Sequence, residues 1–181
     1  FSTSEILPFI EAWITSLSFT FQFYFDFSGY SDMAIGLALI FGVMLPINFN
    51  SPFKALSIID FWHRWHITLS NFINSYMFVP SIKKLKNYSL NKAILIIILI
   101  MTIMGLWHGP TWMYIFFGTF HGFGLAINHY WRKLNFKLHI IFSWFITFNF
   151  VNISFAIFRS ENFEIFINIL KGMFLFNGII F

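Results

Sequence analysis

Two stretches of this sequence hold side chains able to move protons inside an otherwise apolar chain. The first is Leu106-Trp107-His108-Gly109-Pro110, where a histidine closes an apolar run. An imidazole titrates near neutrality, so a neutral His108 can take a proton from a hydroxyl or return one to a leaving group. Gly109 leaves room beside it, and Pro110 stops the helix that delivers it. The competing reading is a histidine hydrogen-bonded between helices for packing alone. The second stretch is Asp60-Phe61-Trp62-His63-Arg64-Trp65-His66. Read as a helix, it sets Asp60 and His63 three apart, His63 and His66 three apart, and Asp60 and Arg64 four apart. One helix face then carries Asp60, His63 and His66. That face is open to four readings: a metal site, a proton relay in a transporter, the lining of a reaction cavity with Asp60 holding Arg64, or the solvated side of an interfacial helix. A carboxylate and two histidines without a diagnostic spacing argue weakly for a metal, and no metal or cofactor site is assigned.

Other ionisable groups are secondary. His121 sits mid-span beside Gly122, where it can line the same cavity as His108. His129 and His139 lie next to a basic loop and read as interfacial. Asp26 and Asp32 flank Ser28-Gly29-Tyr30-Ser31, which reads as a structural break in a helix ahead of a cation site. Gly118 and Gly122 fit the small-residue spacing that lets two membrane helices approach, a pattern that apolar helices also produce by chance.

The elements that must position these groups are membrane spans. Hydrophobic residues make up 58% of the 181 residues and charged residues 10%, against about 25% charged in a soluble domain. So few charges cannot cover a water-facing surface, and 29 phenylalanines suit lipid better than water. A spanning helix needs about 20 apolar residues. Candidates run from Pro8 to about Phe27, Met33 to Leu45, Ala93 to Trp107, Thr111 to Tyr130, Leu138 to Phe158 and Phe163 to Phe181. The stretch from Phe19 to Leu45 reads as a long helix broken near Gly29 or as two short ones. Residues 53–80 are too polar for a lipid-facing span, which predicts an amphipathic or protein-buried re-entrant helix. The expected fold is therefore all-α: a polytopic transmembrane bundle with one such irregular segment.

Net charge is +4, and seven of the 11 Lys and Arg residues lie in two clusters: Lys83, Lys84, Lys86 and Lys92, then Arg132, Lys133 and Lys137. Clusters between apolar spans follow the positive-inside rule, so both loops face the cytoplasm and nucleic acid is not expected as a partner. His108 lies 16 residues beyond Lys92, about 24 Å at helical rise, and so falls inside the outer half of a hydrocarbon layer about 30 Å thick. There is no cysteine, hence no disulfide or thiolate site. The chain starts without methionine or a signal-peptide pattern and reads as one membrane domain, residues 1–181, internal to a longer protein.

Taken together the motifs resemble a known family. Residues 21–36 (FQFYFDFSGYSDMAIG), 48–53 (NFNSPF), 60–70 (DFWHRWHITLS) and 106–109 (LWHG) are similar, in that order, to signatures of bacterial membrane-bound O-acyltransferases. The nearest branch is the alginate O-acetylase-like group, with peptidoglycan O-acetyltransferases in it and the D-alanyl transfer proteins of teichoic acid synthesis further off. The signature region spans about residues 20–125. The resemblance implies that His108 is the catalytic histidine and His66 the second signature position, with Asp60, Arg64, Trp65, Trp107 and His121 as candidates to line the substrate tunnel. Arginine is common in this branch at the position of His63, which receives no role. The implied setting is a multi-pass protein of the bacterial plasma (inner) membrane, in contact with lipid. It would pass an acyl group, acetyl in the first place, from a cytoplasmic donor such as acetyl-CoA or another acyl carrier. The acceptor would be a hydroxyl of a cell-envelope polysaccharide, or a periplasmic acetyl-transfer partner protein. D-alanyl transfer to teichoic acid and a proton-coupled transporter subunit are the alternatives, although a transporter usually shows symmetry between its halves and none is visible.

Overall fold

Apolar runs long enough to close their own backbone hydrogen bonds fold here as helices, and a computed structural model describes residues 7–178. Among these residues there is no strand, and the fold is all-α. The order is α1 (Phe9–Ile40), a 3₁₀ turn (Pro52–Lys54), α2 (Ile58–Trp62), α3 (Ile67–Phe72), a π-helical turn (Ile73–Phe78), α4 (Val79–Lys83), α5 (Leu90–His108), α6 (Trp112–Lys133), α7 (Ile140–Arg159) and α8 (Phe163–Met173). Of these, α5 and α7 are long and apolar enough to cross a membrane, with mean hydropathies of 2.1 and 1.8. Helix α6 has 22 residues, but His121, Asn128, His129 and its glycines lower its hydropathy.

The expected break at Gly29 is absent, and α1 runs unbroken for 32 residues. One glycine costs a helix only about 1 kcal/mol relative to alanine. The neighbouring hydroxyls also bond back to their own helix, Ser31 Oγ donating to the Phe27 carbonyl at 2.9 Å. Asp26 and Asp32 are therefore exposed positions on a continuous helix. The last expected span is corrected too. Helix α8 has 11 residues, about 16 Å at helical rise, and residues 179–181 of that span lie outside the described region. It is amphipathic, and it buries Phe166, Ile169, Gly172 and Met173. At Gly172 an added Cβ would meet Ala12 Cβ of α1 at 2.6 Å.

Two devices hold the long helices together. Between α5 and α6 the backbones touch: a Cβ on Gly105 would strike the Tyr114 carbonyl oxygen, one on Gly118 the Met101 carbonyl oxygen, and one on Gly122 would lie 2.9 Å from Ile98 Cα. The Gly118–Gly122 pair thus packs a helix interface, with Gly105 as its unforeseen partner. The Thr102 and Thr119 hydroxyls, 3.0 Å apart, tie the same interface. Between α1 and α7, buried Asn152 accepts through Oδ1 from Ser16 Oγ at 3.1 Å and Thr20 Oγ1 at 2.7 Å. A core of Phe61, Val151, Phe155, Ile157 and Ile169 is buried almost completely beside them.

Candidate active site

The polar segment after α1 is neither one amphipathic helix nor one re-entrant helix. Ser57 caps α2, its Oγ accepting from the Asp60 amide at 3.1 Å, while Asp60 Oδ2 reaches back to the Leu56 amide at 3.1 Å. This reciprocal arrangement satisfies donors that the first turn leaves open. Helix α2 stops at Trp62, and the chain turns through His66, whose φ of 46° is left-handed. A non-glycine residue there costs roughly 1–2 kcal/mol. The expected single face carrying Asp60, His63 and His66 therefore does not exist. His63 caps the end of α2 and is exposed.

What holds the turn is the loop between Pro46 and Pro52. The Asn50 amide donates to the Arg64 carbonyl at 2.9 Å and the Ile67 amide to the Asn48 carbonyl at 3.0 Å. Arg64 Nε donates to Asp60 Oδ1 at 2.8 Å, and its Nη1 reaches the Asn50 carbonyl at 3.4 Å. Asp60 and Arg64 thus clamp the turn to the loop. Both side chains are about a third exposed, so the pair itself adds little stability, on the order of 1 kcal/mol or less. Its effect is on position.

Asn48 fixes the ring of His66. Its Oδ1 accepts from Thr68 Oγ1 at 2.9 Å and lies 3.1 Å from His66 Nδ1. Asn48 Nδ2 points instead at Ser31 Oγ, 3.4 Å away. Facing a carbonyl oxygen, Nδ1 is the donor in the tautomer that satisfies this contact, and in a neutral ring of that tautomer Nε2 keeps its lone pair. Asn48 opens the 48–53 motif. The signal in the sequence is a short polar group, Asn48, Asn50 and Ser51, set between two prolines in a chain that is mostly apolar.

His108 ends α5 in a ring of aromatics. Its centroid lies 5.1 Å from Trp107, 5.3 Å from Phe158, 6.0 Å from Phe117 and 6.3 Å from Tyr114. Gly109 does leave room, but Tyr114 fills it: an added Cβ would sit 2.7 Å from its ring. His108 is itself exposed. His66 and His108 are 42 positions apart in the sequence. Aromatic rings join them, Phe27 touching His66 at 4.9 Å and Phe23 stacking on Phe158 at 5.2 Å.

The remaining candidates divide. Trp107 is 64% exposed beside His108. Trp65 is buried in the core against Phe49 and Phe61, at 5.0 and 5.6 Å. His121 is fully buried, with Phe117 at 4.8 Å standing on its His108 side. Neither of its ring nitrogens has a hydrogen-bond partner, and the same holds for Nε1 of Trp62, whose ring lies 5.1 Å away. His129, expected at the interface, lies with His63 and Trp62 in the wall of a cavity of about 300 Å³ between α5–α6 and the segment formed by α2, α3 and the π-helical turn. Among the described residues no group of three His, Asp or Glu is arranged to hold a metal ion.

These features have counterparts in known proteins. The profile of the membrane-bound O-acyltransferase family matches residues 2–167. The chain belongs to this family. It is 48% identical over 187 residues to the peptidoglycan O-acetyltransferase of Helicobacter pylori, covering 99% of this chain and 34% of that protein. To the probable alginate O-acetylase of Pseudomonas aeruginosa it is 40% identical over 175 residues, 92% of this chain and 32% of the other. To the teichoic acid D-alanyltransferase of Streptococcus thermophilus it is 37% identical over 161 residues, 76% and 39% respectively. The chain spans about a third of the length of the curated relatives it matches. Both His66 and His108 fall within the matched region.

Proposed function

We propose that this chain is the histidine-bearing part of an O-acyltransferase in the bacterial plasma membrane, set within a multi-pass helical bundle. The enzyme moves an acetyl group from a cytoplasmic donor, acetyl-CoA or another acyl carrier, across the membrane. The acceptor is a hydroxyl of a cell-envelope polysaccharide, peptidoglycan or an alginate-like polymer, directly or through a periplasmic acetyl-transfer partner protein. The observation that carries this reading is the line of packed rings, Phe27, Phe23 and Phe158, that links His66, held at Nδ1 by Asn48, to His108.

In this mechanism His108 accepts the proton of the acceptor hydroxyl as its oxygen attacks the acyl carbon. The carbon–oxygen ester bond forms, the bond to the donor's leaving atom breaks, and that atom leaves with the proton His108 returns. His66, its ring held by Asn48, orients the reacting partners. Trp107 flanks the path taken by substrate. Asp60 and Arg64 fix the turn, while Trp65 and His121 form the packed wall behind the site. Phe117, Tyr114 and Phe158 shield one side of His108 from water, which would otherwise hydrolyse the acyl group.

Acetyl transfer is favoured over D-alanyl transfer because identity is 48% to the peptidoglycan relative and 37% to the teichoic acid relative. Ester analysis of envelopes with and without the intact gene tests the proposal. Loss of O-acetyl groups from polysaccharide is the expected result. Loss of D-alanyl esters instead would select the second reading, and unchanged esters would refute both.

A further inference from the structure

We propose that the cavity beneath the α6–α7 turn binds an anionic glycerophospholipid of the phosphatidylglycerol type. The cavity is about 690 Å³ and lies between the last turns of α6, the first turns of α7 and residues 56–58. That is large enough for a lipid head group and the start of its chains. Its walls change character along their length. Ile58, Ile127, Ile146 and Phe150 make one end apolar, while Arg132 and Lys137 stand at the other. No carboxylate is among the residues that line it, and the nearby Asp60 is already bonded to Arg64.

The surface around it carries the same polarity. Phe123 and Ile127 on α6 are 54% and 65% exposed, and Ile141, Phe142 and Phe145 on α7 are 62%, 62% and 56% exposed. Acyl chains lying on that apolar face would lead a head group to the two cations. The carbonyls ending α6 carry partial negative charge, so the side chains and not the helix end must attract the anion. Trp131, in the cavity wall, donates from Nε1 to the Phe136 carbonyl at 3.0 Å and braces the turn that carries Lys137. Ser57, Asn128 and Ser143 add polar atoms to the wall, suited to the hydroxyls of a glycerol head group. A zwitterionic lipid would bring an ammonium group against Arg132 and Lys137 and should bind less well.

The test uses the intact protein, purified in mild detergent and exchanged with equal amounts of phosphatidylglycerol and phosphatidylethanolamine. Native mass spectrometry then counts the lipid retained. Preferential retention of phosphatidylglycerol is expected. Arg132→Gln with Lys137→Gln should weaken it about thirtyfold, each cation near a membrane surface being worth roughly a fivefold factor. Lys83→Gln with Lys84→Gln removes the same charge from the other basic cluster and should leave retention unchanged. If Arg132→Gln lowers the yield of folded protein, Lys137→Gln alone, in the exposed turn, should still weaken retention about fivefold. Equal loss in both double variants would indicate only a diffuse surface field and overturn the site, as would no preference between the two lipids. Glycerol 1-phosphate at matched concentration should fail to compete. Full competition would reduce the cavity to a simple anion site and overturn the lipid assignment.

Discussion

Asn48 Oδ1 lies 3.1 Å from His66 Nδ1, and through this one contact the loop after α1 decides which nitrogen of His66 is free. The same oxygen takes the Thr68 hydroxyl at 2.9 Å, so the ring and the start of α3 are positioned by a single side chain. Asn48→Ala should therefore leave His66 in place but free to rotate. A misplacement of about 1 Å at a reacting group can cost about a hundredfold in rate. We expect acyl transfer to fall by roughly ten- to a hundredfold, with membrane-protein abundance little changed. Asn48→Asp, which keeps the acceptor oxygens, should retain more activity than Asn48→Ala. Equal activity of the two variants would show that the contact does not orient the ring.

His108→Ala should abolish acyl transfer while the protein stays folded and in the membrane. Losing a general base costs about 10²–10⁴ in rate, which reads as complete loss in an envelope ester assay. His66→Ala should match it if the two rings act as a pair, or fall between it and wild type if His66 only positions substrate. The control is His139→Ala, since His139 is an exposed residue capping α7; His129 is unsuitable because it lines a cavity. A packing histidine would give the opposite pattern, with less folded protein but unchanged activity per molecule. Normal esters from well-expressed His108→Ala protein would end the catalytic assignment.

The glycines separate into those that admit a neighbour and those that do not. Gly118→Ala would press a methyl group into the Met101 carbonyl oxygen, and overpacking of this kind typically costs about 1–3 kcal/mol. Gly36→Ala meets nothing within 4 Å and should stabilise α1 by up to about 1 kcal/mol. Thermal unfolding in detergent should lower the midpoint for the first and hold or raise it for the second. A fall in both would mean that the α5–α6 contact is not the critical one.

Sequence reading located α5, α6 and α7 because each is a single apolar run whose ends carry polar caps or basic residues. It failed where tertiary contacts override local signals. Gly29 looks like a helix break until its surroundings prove open enough for α1 to continue. The segment from Asp60 to His66 has helical spacing, yet the Arg64 and Asn48 bonds fold it into a turn. Those bonds join residues 14 and 18 positions apart, beyond any local periodicity. The motifs contain His66 and His108, but the link between them runs through Phe27, Phe23 and Phe158, which no local pattern shows.

His121 offers the sharpest test of where the reactive region stops. Its imidazole is fully buried, both nitrogens lack partners, and Phe117 lies toward His108. A buried polar group without a bond typically costs about 1–3 kcal/mol, and an apolar replacement of similar size can remove that cost. Methionine is close in volume and adapts to irregular aromatic surroundings. His121→Met should therefore fold at least as well as wild type, with an unfolding midpoint equal or higher. If His121 belongs to the wall and not the path, transfer should change by less than about tenfold, equivalent to about 1.4 kcal/mol. Trp62→Phe, which removes the neighbouring unpaired N–H, should behave alike. A well-folded His121→Met protein that has lost transfer by a hundredfold would place His121 in the chemistry, with Phe117 yielding to let substrate reach it.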